Sequence, residues 1–287
     1  MAEQPVDPVT VDPGLIKQIQ NIVLYSIAIL VAIVMIIPFL WMISTSLKQV
    51  TEVFAVPIHW IPPTWQWGNY PSAFTRYPFG RYFLNSTIVS VTVTFINLII
   101  CSLAGYSLAK YHYRGRKALF IIVLATMMLP LEVLMVPLFL ITKQLSMVNT
   151  LQGQIIPMSV DAFGIFLMRQ YILDIPDSLI EAARIDGASE PRIFFQIILP
   201  LTAPALAALG IFSFREIWDA YIWPLIIITE DKFKTVPLGM SMFENAYVTQ
   251  YHELMAIATI AVLPMVIIFF FFQNAFVRSM TMSGIKD

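Results

Sequence analysis

Besides Arg169, which lies near the end of its run and can snorkel, five ionisable side chains lie inside long apolar runs of this sequence: Glu132, Asp161, Arg215, Glu216 and Asp219. A charge in hydrocarbon costs ~2.5–3.5 kcal/mol on insertion scales, so residues of this kind default to functional candidates. Arg215 and Asp219 stand four apart and can pair on one helix face. Glu132, Asp161 and Glu216 have no basic partner at such a spacing. Two kinds of chemistry fit. The carboxylates either face neighbouring protein, or stay protonated, and hold a bundle together; or they line a polar path with Trp218, Tyr221 and Trp223. Carboxylates that accept from several hydroxyls, beside flat aromatic faces, suit a neutral polyhydroxy solute.

A second group lies between two of the apolar runs, over Ile175-Pro-Asp-Ser-Leu-Ile-Glu-Ala-Ala-Arg-Ile-Asp-Gly-Ala-Ser-Glu-Pro-Arg192. About 25 polar-flanked residues are excess for a simple connection. Pro176 stops the preceding helix, and Ser178-x-x-Glu181 forms a capping box for a new one. Helix-favouring Glu181-Ala182-Ala183-Arg184 follows, and Gly187 suits the left-handed C-cap. Ser189, with Glu190 and Pro191, starts a second helix towards Pro200. The spacing predicts two short helices meeting at a glycine, and a surface helix that tidies a long loop is the plainer account of them.

The elements that position both groups follow from composition. Of 287 residues, 58% are apolar and 12% charged, against about half and a quarter in soluble domains. Six runs are long enough to span a ~30 Å hydrocarbon core as helices of ~20 residues. They are Ile22–Ile43, Leu84–Ala109, Ala118–Ile141, Leu151–Leu173, Leu201–Thr229 and Leu254–Val277. Alternating strands of barrel type are lacking, so the spans are helical and the fold all-α. The first run is too long for a signal core and reads as a retained helix after a floppy tail over residues 1–20. Residues 21–287 then form one membrane domain with a long loop at 174–200. Pro130, Pro137, Pro204, Pro224 and Pro264 are expected to break the spans locally.

Orientation comes from lysine and arginine. Six spans put both termini on one side, with nine basic residues there against six on the other. The cluster Lys110-Tyr-His-Tyr-Arg-Gly-Arg-Lys117 sits tight between two spans, so that side is cytoplasmic. Trp60, Trp65, Trp67, Tyr70, Tyr77 and Tyr82 fall outside, as an interfacial belt or, with the Pro-Pro-Thr-Trp run, a rigid surface for an external partner. The net charge of −1 gives no bulk attraction to nucleic acid or anionic lipid, and no nucleic-acid partner is expected. Cys101 is the single cysteine.

Glu181-Ala-Ala-x-x-x-Gly187, then nine residues, then Ile197-x-Leu199-Pro200, resembles the EAA loop of ABC importer permeases. The wider stretch from Pro176-Asp177 through Asp186-Gly187-Ala188 to Pro200 is similar to the carbohydrate-uptake permeases related to the maltose system. Met128-Leu-Pro130 with Pro137, Trp218-x-x-Tyr-x-Trp223-Pro224 and the tail Thr281-x-x-Gly284-x-Lys286 agree with that subfamily. The third and fifth spans also look like glycerol-phosphate permeases. The resemblance implies the type I importer fold and a coupling role for Glu181, Ala182, Ala183, Asp186, Gly187, Ile197, Leu199 and Pro200. It also implies four partners: a second permease subunit, a cytoplasmic ATP-binding cassette ATPase dimer, an extracytoplasmic solute-binding protein and membrane lipid. The expected setting is a bacterial or archaeal cytoplasmic membrane, with a sugar or related polyol as cargo.

Glu181 suits coupling by offering a charge-assisted acceptor to a basic residue, while the two alanines present a smooth packing face. No G-x-x-x-x-G-K-[ST] pattern occurs, so ATP and Mg²⁺ are expected on a partner and no cofactor on this chain. His59, His112 and His252 fall in predicted loops, which excludes a buried histidine-based catalytic site. The alternative is a secondary transporter or channel subunit that uses its intramembrane carboxylates. It leaves the long loop without a purpose.

Overall fold

The computed structural model describes residues 13–243 and 250–282, and these form helices and turns with no strand. The expected tail over 1–12, together with Gly284 and Lys286, lies outside the described residues. The helices are α1 (Pro13–Ser46), α2 (Asn69–Arg76), α3 (Phe79–Lys110), α4 (Arg116–Met127), α5 (Leu131–Gln144), α6 (Leu151–Ile155), α7 (Ala162–Leu173), α8 (Asp177–Ile185), α9 (Glu190–Ile193), α10 (Leu199–Leu201), α11 (Ala203–Trp218), α12 (Ile222–Ile227), α13 (Val236–Met240) and α14 (Tyr251–Met282). Helix α1 takes up residues 13–20, which the sequence reading had assigned to the floppy tail.

Three spans are single helices: α1, α3 and α14. Three further helix pairs are long and apolar enough to span only when taken together, bent by 103° between α4 and α5, 42° between the Leu151–Met158 segment and α7, and 79° between the Glu190–Leu201 segment and α11. The expected breaks are therefore only partly right. Pro130 does break the third span, because it lacks an N–H and drives Leu129 away from helical geometry. Pro137 and Pro264 sit inside helices that continue. The expected fifth span, Leu201–Thr229, is not one helix. It stops at Trp218 and resumes as the short α12.

The outer face of α1 is apolar, and the core is apolar too, with polar side chains buried along α3. Ile22, Leu24, Leu30, Met35 and Leu40 on α1 all stand exposed, whereas Asn85, Ser86, Ser90, Asn97 and Ser102 on α3 are buried. Lipid solvates the outer surface as well as a core would, so helix pairing rests on close packing and hydrogen bonds. Helices α3 and α7 cross where each presents a glycine. A Cβ on Gly105 would lie 2.8 Å from the Arg169 backbone nitrogen, and one on Gly164 would lie 2.8 Å from Cys101 Sγ. Asn85 Nδ2 donates to the carbonyls of Lys232 and Lys234 at 3.0 and 2.8 Å, and Val236 N–H donates to Ser86 Oγ at 2.8 Å. These bonds tie the loop after α12 to the central helix.

At the same end, α2 is fastened to α14. Arg76 donates both Nε and Nη2 to Glu253, and Ser72 Oγ donates to the same carboxylate. Glu253 is buried while Arg76 is about half exposed, so the charge-assisted pair sits at the edge of the packed region. His252 beside it heads α14 and is also buried, which corrects its expected place in a loop.

Candidate functional site

The breaks in the spans open a cleft of about 690 Å³. Asn97 of α3, Thr126 of α4, Leu131 of α5, Asp161 at the head of α7, and Ser213 and Glu216 of α11 line it. Asn97 Nδ2 donates to Ser213 Oγ at 3.2 Å, and Cys101 Sγ donates to Asn97 Oδ1 at 2.6 Å. Asn97 and Ser213 were missed by the sequence reading. Their signal was a carboxamide and a hydroxyl within apolar runs, weaker than a charge because neutral polar groups are cheaper to bury.

The expected path residues do not form one group. Asp161 and Glu216 share the cleft. Arg215, Trp218, Asp219 and Tyr221 line a separate, open hollow of about 520 Å³, to which α1, α13 and α14 also contribute. Arg215 Nε meets Asp219 Oδ2 at 3.5 Å, the pairing their spacing predicted, with both side chains more than half exposed. Glu132 lines neither space and stands exposed in the first turn of α5, where the helix dipole favours a carboxylate.

The tryptophans correct the expectation of flat faces along one path. Trp223 is 3% exposed and its Nε1 donates to Gly153 O at 3.1 Å, so it is a core side chain. Trp218 is 4% exposed, stacks on Phe214, and donates Nε1 to Ala261 O at 3.0 Å. Each indole N–H is spent on a backbone carbonyl, which fixes α12 to α6 and α11 to α14.

Asp161 has a local duty as well. Its Oδ1 accepts from Phe163 N–H at 3.0 Å and its Oδ2 from Gly164 N–H at 2.8 Å, capping α7. Loss of such a cap costs about 1 kcal/mol, while asparagine caps nearly as well as aspartate. Asp161→Ala is therefore expected to lower the melting temperature of the purified complex, and Asp161→Asn to leave it unchanged. Equal melting of Asp161→Ala and the parent protein would remove the capping role.

At the far end of α7 lies the second site. Helix α8 begins at Asp177 rather than behind a Ser178 cap, and neither Ser178 nor Ser189 makes a capping hydrogen bond. The expected capping box is corrected: Pro176, in extended geometry, serves as the N-cap, and Asp177 enters the first turn. Lys110 Nζ donates to Asp177 Oδ1 at 2.8 Å and holds that carboxyl below its usual range. The C-terminus of α8 is as expected. Gly187 has φ +80°, and Gly187 N–H and Ala188 N–H bond back to Arg184 O and Ala183 O at 3.0 and 2.9 Å. That double bond pattern closes a helix around a left-handed glycine.

Ile180 and Ala183 face inwards, whereas Glu181, Ala182 and Ile185 face out, Ile185 at 86% exposure. Helix α9 runs on through a wide π turn, Phe194–Ile198, into α10. The π turn accommodates Pro200, which can neither donate to Gln196 O nor pack its ring against it in a regular helix. Ile197, Leu199 and Pro200 thus lie on the ramp between α9 and the 79° bend.

A helical membrane bundle with a cleft at its broken spans that gathers a few polar side chains, and a helix pair hung on one end, matches the type I importer architecture. A solved bacterial ABC transporter involved in the import of the acidic polysaccharide alginate has the same fold, with a TM-score of 0.80 over 94% of this chain and 99% of that one, at 24% identity. The chain belongs to the family described as the binding-protein-dependent transport system inner membrane component, whose profile matches residues 101–282. It is the inner-membrane permease subunit of an ABC importer and not itself a catalyst. The arabinooligosaccharides transport system permease protein AraQ of Halalkalibacterium halodurans is 35% identical over 259 residues, covering 89% of this chain and 93% of its own. The sn-glycerol-3-phosphate transport system permease protein UgpE of Pectobacterium atrosepticum is 33% identical over 237 residues, covering 80% and 84%.

Proposed function

We propose that this permease carries a sugar or related polyol through the cleft at Asn97, Asp161, Ser213 and Glu216. A separate cytoplasmic ATPase dimer, which binds ATP and Mg²⁺, drives it through the 174–200 segment. A second, related permease chain completes the pathway, and an extracytoplasmic solute-binding protein delivers the cargo. Both termini and the 174–200 segment lie in the cytoplasm.

The observation that carries this reading is α8, a helix packed on one side by Ile180 and Ala183 and bare on the other at Glu181, Ala182 and Ile185. An exposed isoleucine beside a carboxylate suits a groove in a soluble partner with a basic residue at its rim. The relatives named for arabinooligosaccharides and for glycerol phosphate support a polyhydroxy cargo. The cleft's amide, hydroxyl and carboxylate groups offer such a cargo both donors and acceptors.

Reconstitution tests it. Vesicles holding this chain with its co-purified permease, ATPase and binding protein are expected to take up labelled arabinotriose or glycerol only when ATP is enclosed on the ATPase side. Uptake that runs on an ion gradient without the ATPase would establish a secondary transporter instead.

A further inference from the structure

The α8–α9 pair is fastened to two consecutive residues at the end of α3. Lys110, only 7% exposed at its side chain, reaches across to α7 and α8. Its Nζ donates to Leu173 O at 3.4 Å, to Ile175 O, and to Asp177 Oδ1 at 2.8 Å. One ammonium thus covers the open carbonyls at the end of α7 and the first carboxylate of α8. Tyr111 OH donates to Glu190 Oε2, Tyr106 OH approaches the same oxygen at 3.4 Å, and Arg184 Nε donates to Glu190 Oε1 at 2.7 Å. Helix α8 is therefore held at its first residue through Lys110 and near its last through the chain Arg184, Glu190, Tyr111. The return contact is present too: Arg169 of α7 donates Nε to Leu108 O at 3.2 Å and lies over the Phe120 ring of α4.

We infer that Lys110, Tyr111, Arg184 and Glu190 form a clamp that makes α8 one rigid body with α3 and α7, so that a push on α8 reaches Asn97 and Asp161 in the cleft. The inference rests on the proposed coupling through α8 and names the positioning residues that transmit it. The chain route forward to α11 is poorly suited to the task, and the route back to α7 passes the non-helical link 174–176, which Lys110 spans. From α8 the forward route runs through a glycine turn, a π turn and a 79° bend before α11 begins. A lever needs a stiff joint, and the clamp braces the short link between α7 and α8 from the side of α3. Each clamp bond has a charged partner, which makes it shorter and stronger than a neutral one.

The test needs no transported solute. In the complete importer, carrying Cys101→Ser, a reporter Val160→Cys in the cleft is labelled with a maleimide before and after the ATPase is trapped with ATP and vanadate. With the clamp intact, trapping is expected to change the labelling rate at least about threefold. In Tyr111→Phe and Glu190→Gln the change is expected to fall below about 1.5-fold while vanadate still traps nucleotide. Arg184→Lys, which keeps a positive charge opposite Glu190, is expected to retain part of the response. An unclamped importer that responds as fully as the parent overturns the inference. A parent importer that traps nucleotide with no labelling change overturns the coupling reading itself. Should Glu190→Gln fail to assemble, Tyr111→Phe, the loss of one hydroxyl, decides alone.

Discussion

Gly187→Val is expected to reduce ATP-driven transport at least about tenfold while the membrane helices insert and pack as before. The position is open, with nothing within 4 Å of where a Cβ would stand, so the penalty is conformational and not steric crowding. At φ +80° a β-branched side chain clashes with its own backbone. Strain of this kind costs on the order of 1–3 kcal/mol, and 1.4 kcal/mol already shifts an equilibrium tenfold. The turn relieves the strain by giving up the bonds from Gly187 and Ala188 to the end of α8. Arg184 then no longer faces Glu190, and α8 loses its fixed orientation. Gly187→Asn, which tolerates the left-handed region, is the control and should transport nearly as the parent does. Assay of both variants for uptake, detergent-stable yield and ATPase co-purification checks this. Full transport by the valine variant would mean that the orientation of α8 does not matter.

Gly105→Val should act on the membrane bundle itself and lower the yield of folded complex sharply. A Cβ there meets the Arg169 nitrogen and Met168 Cβ at 2.8 Å, and valine adds two methyl groups beyond it. A backbone atom cannot rotate away, so α3 and α7 must separate along the crossing that also seats Cys101 against Gly164. Overpacking of this kind costs typically 1–3 kcal/mol and here should reach about 3 kcal/mol, because two helices move together. Gly210→Ala is the matched control, since its Cβ would find only Leu98 side-chain atoms at 3.7 and 3.9 Å. Thermal melting of the two purified variants separates them. Equal melting would mean that α3 and α7 do not meet tightly at Gly105.

The sequence alone determined the parts of this protein whose causes are local. Run length and hydropathy marked the six spans, because a bilayer fixes how many apolar residues a helix must supply. Gly187 marked the turn after α8, since the left-handed region excludes most side chains whatever surrounds them. The Glu181-Ala-Ala pattern marked the exposed helix for which coupling is proposed, and a spacing of four paired Arg215 with Asp219.

Tertiary structure decided what depended on neighbours. Pro130 breaks a span and Pro137 does not, though both lack the same N–H, because the broken geometry survives only where other groups or a cavity meet the freed backbone. Trp218 and Trp223 read alike from sequence as flat faces along a polar path, yet each donates its indole N–H to a backbone carbonyl, Ala261 O and Gly153 O, and lies in the core. Asp161 became a cap because the fourth span is broken beside it. Asn97 and Ser213, 116 residues apart, meet only after α3 and α11 have packed. The clamp at Lys110, Tyr111 and Glu190 is likewise invisible along the chain, because a hydrogen bond is decided by ångströms in space and leaves no period in the sequence.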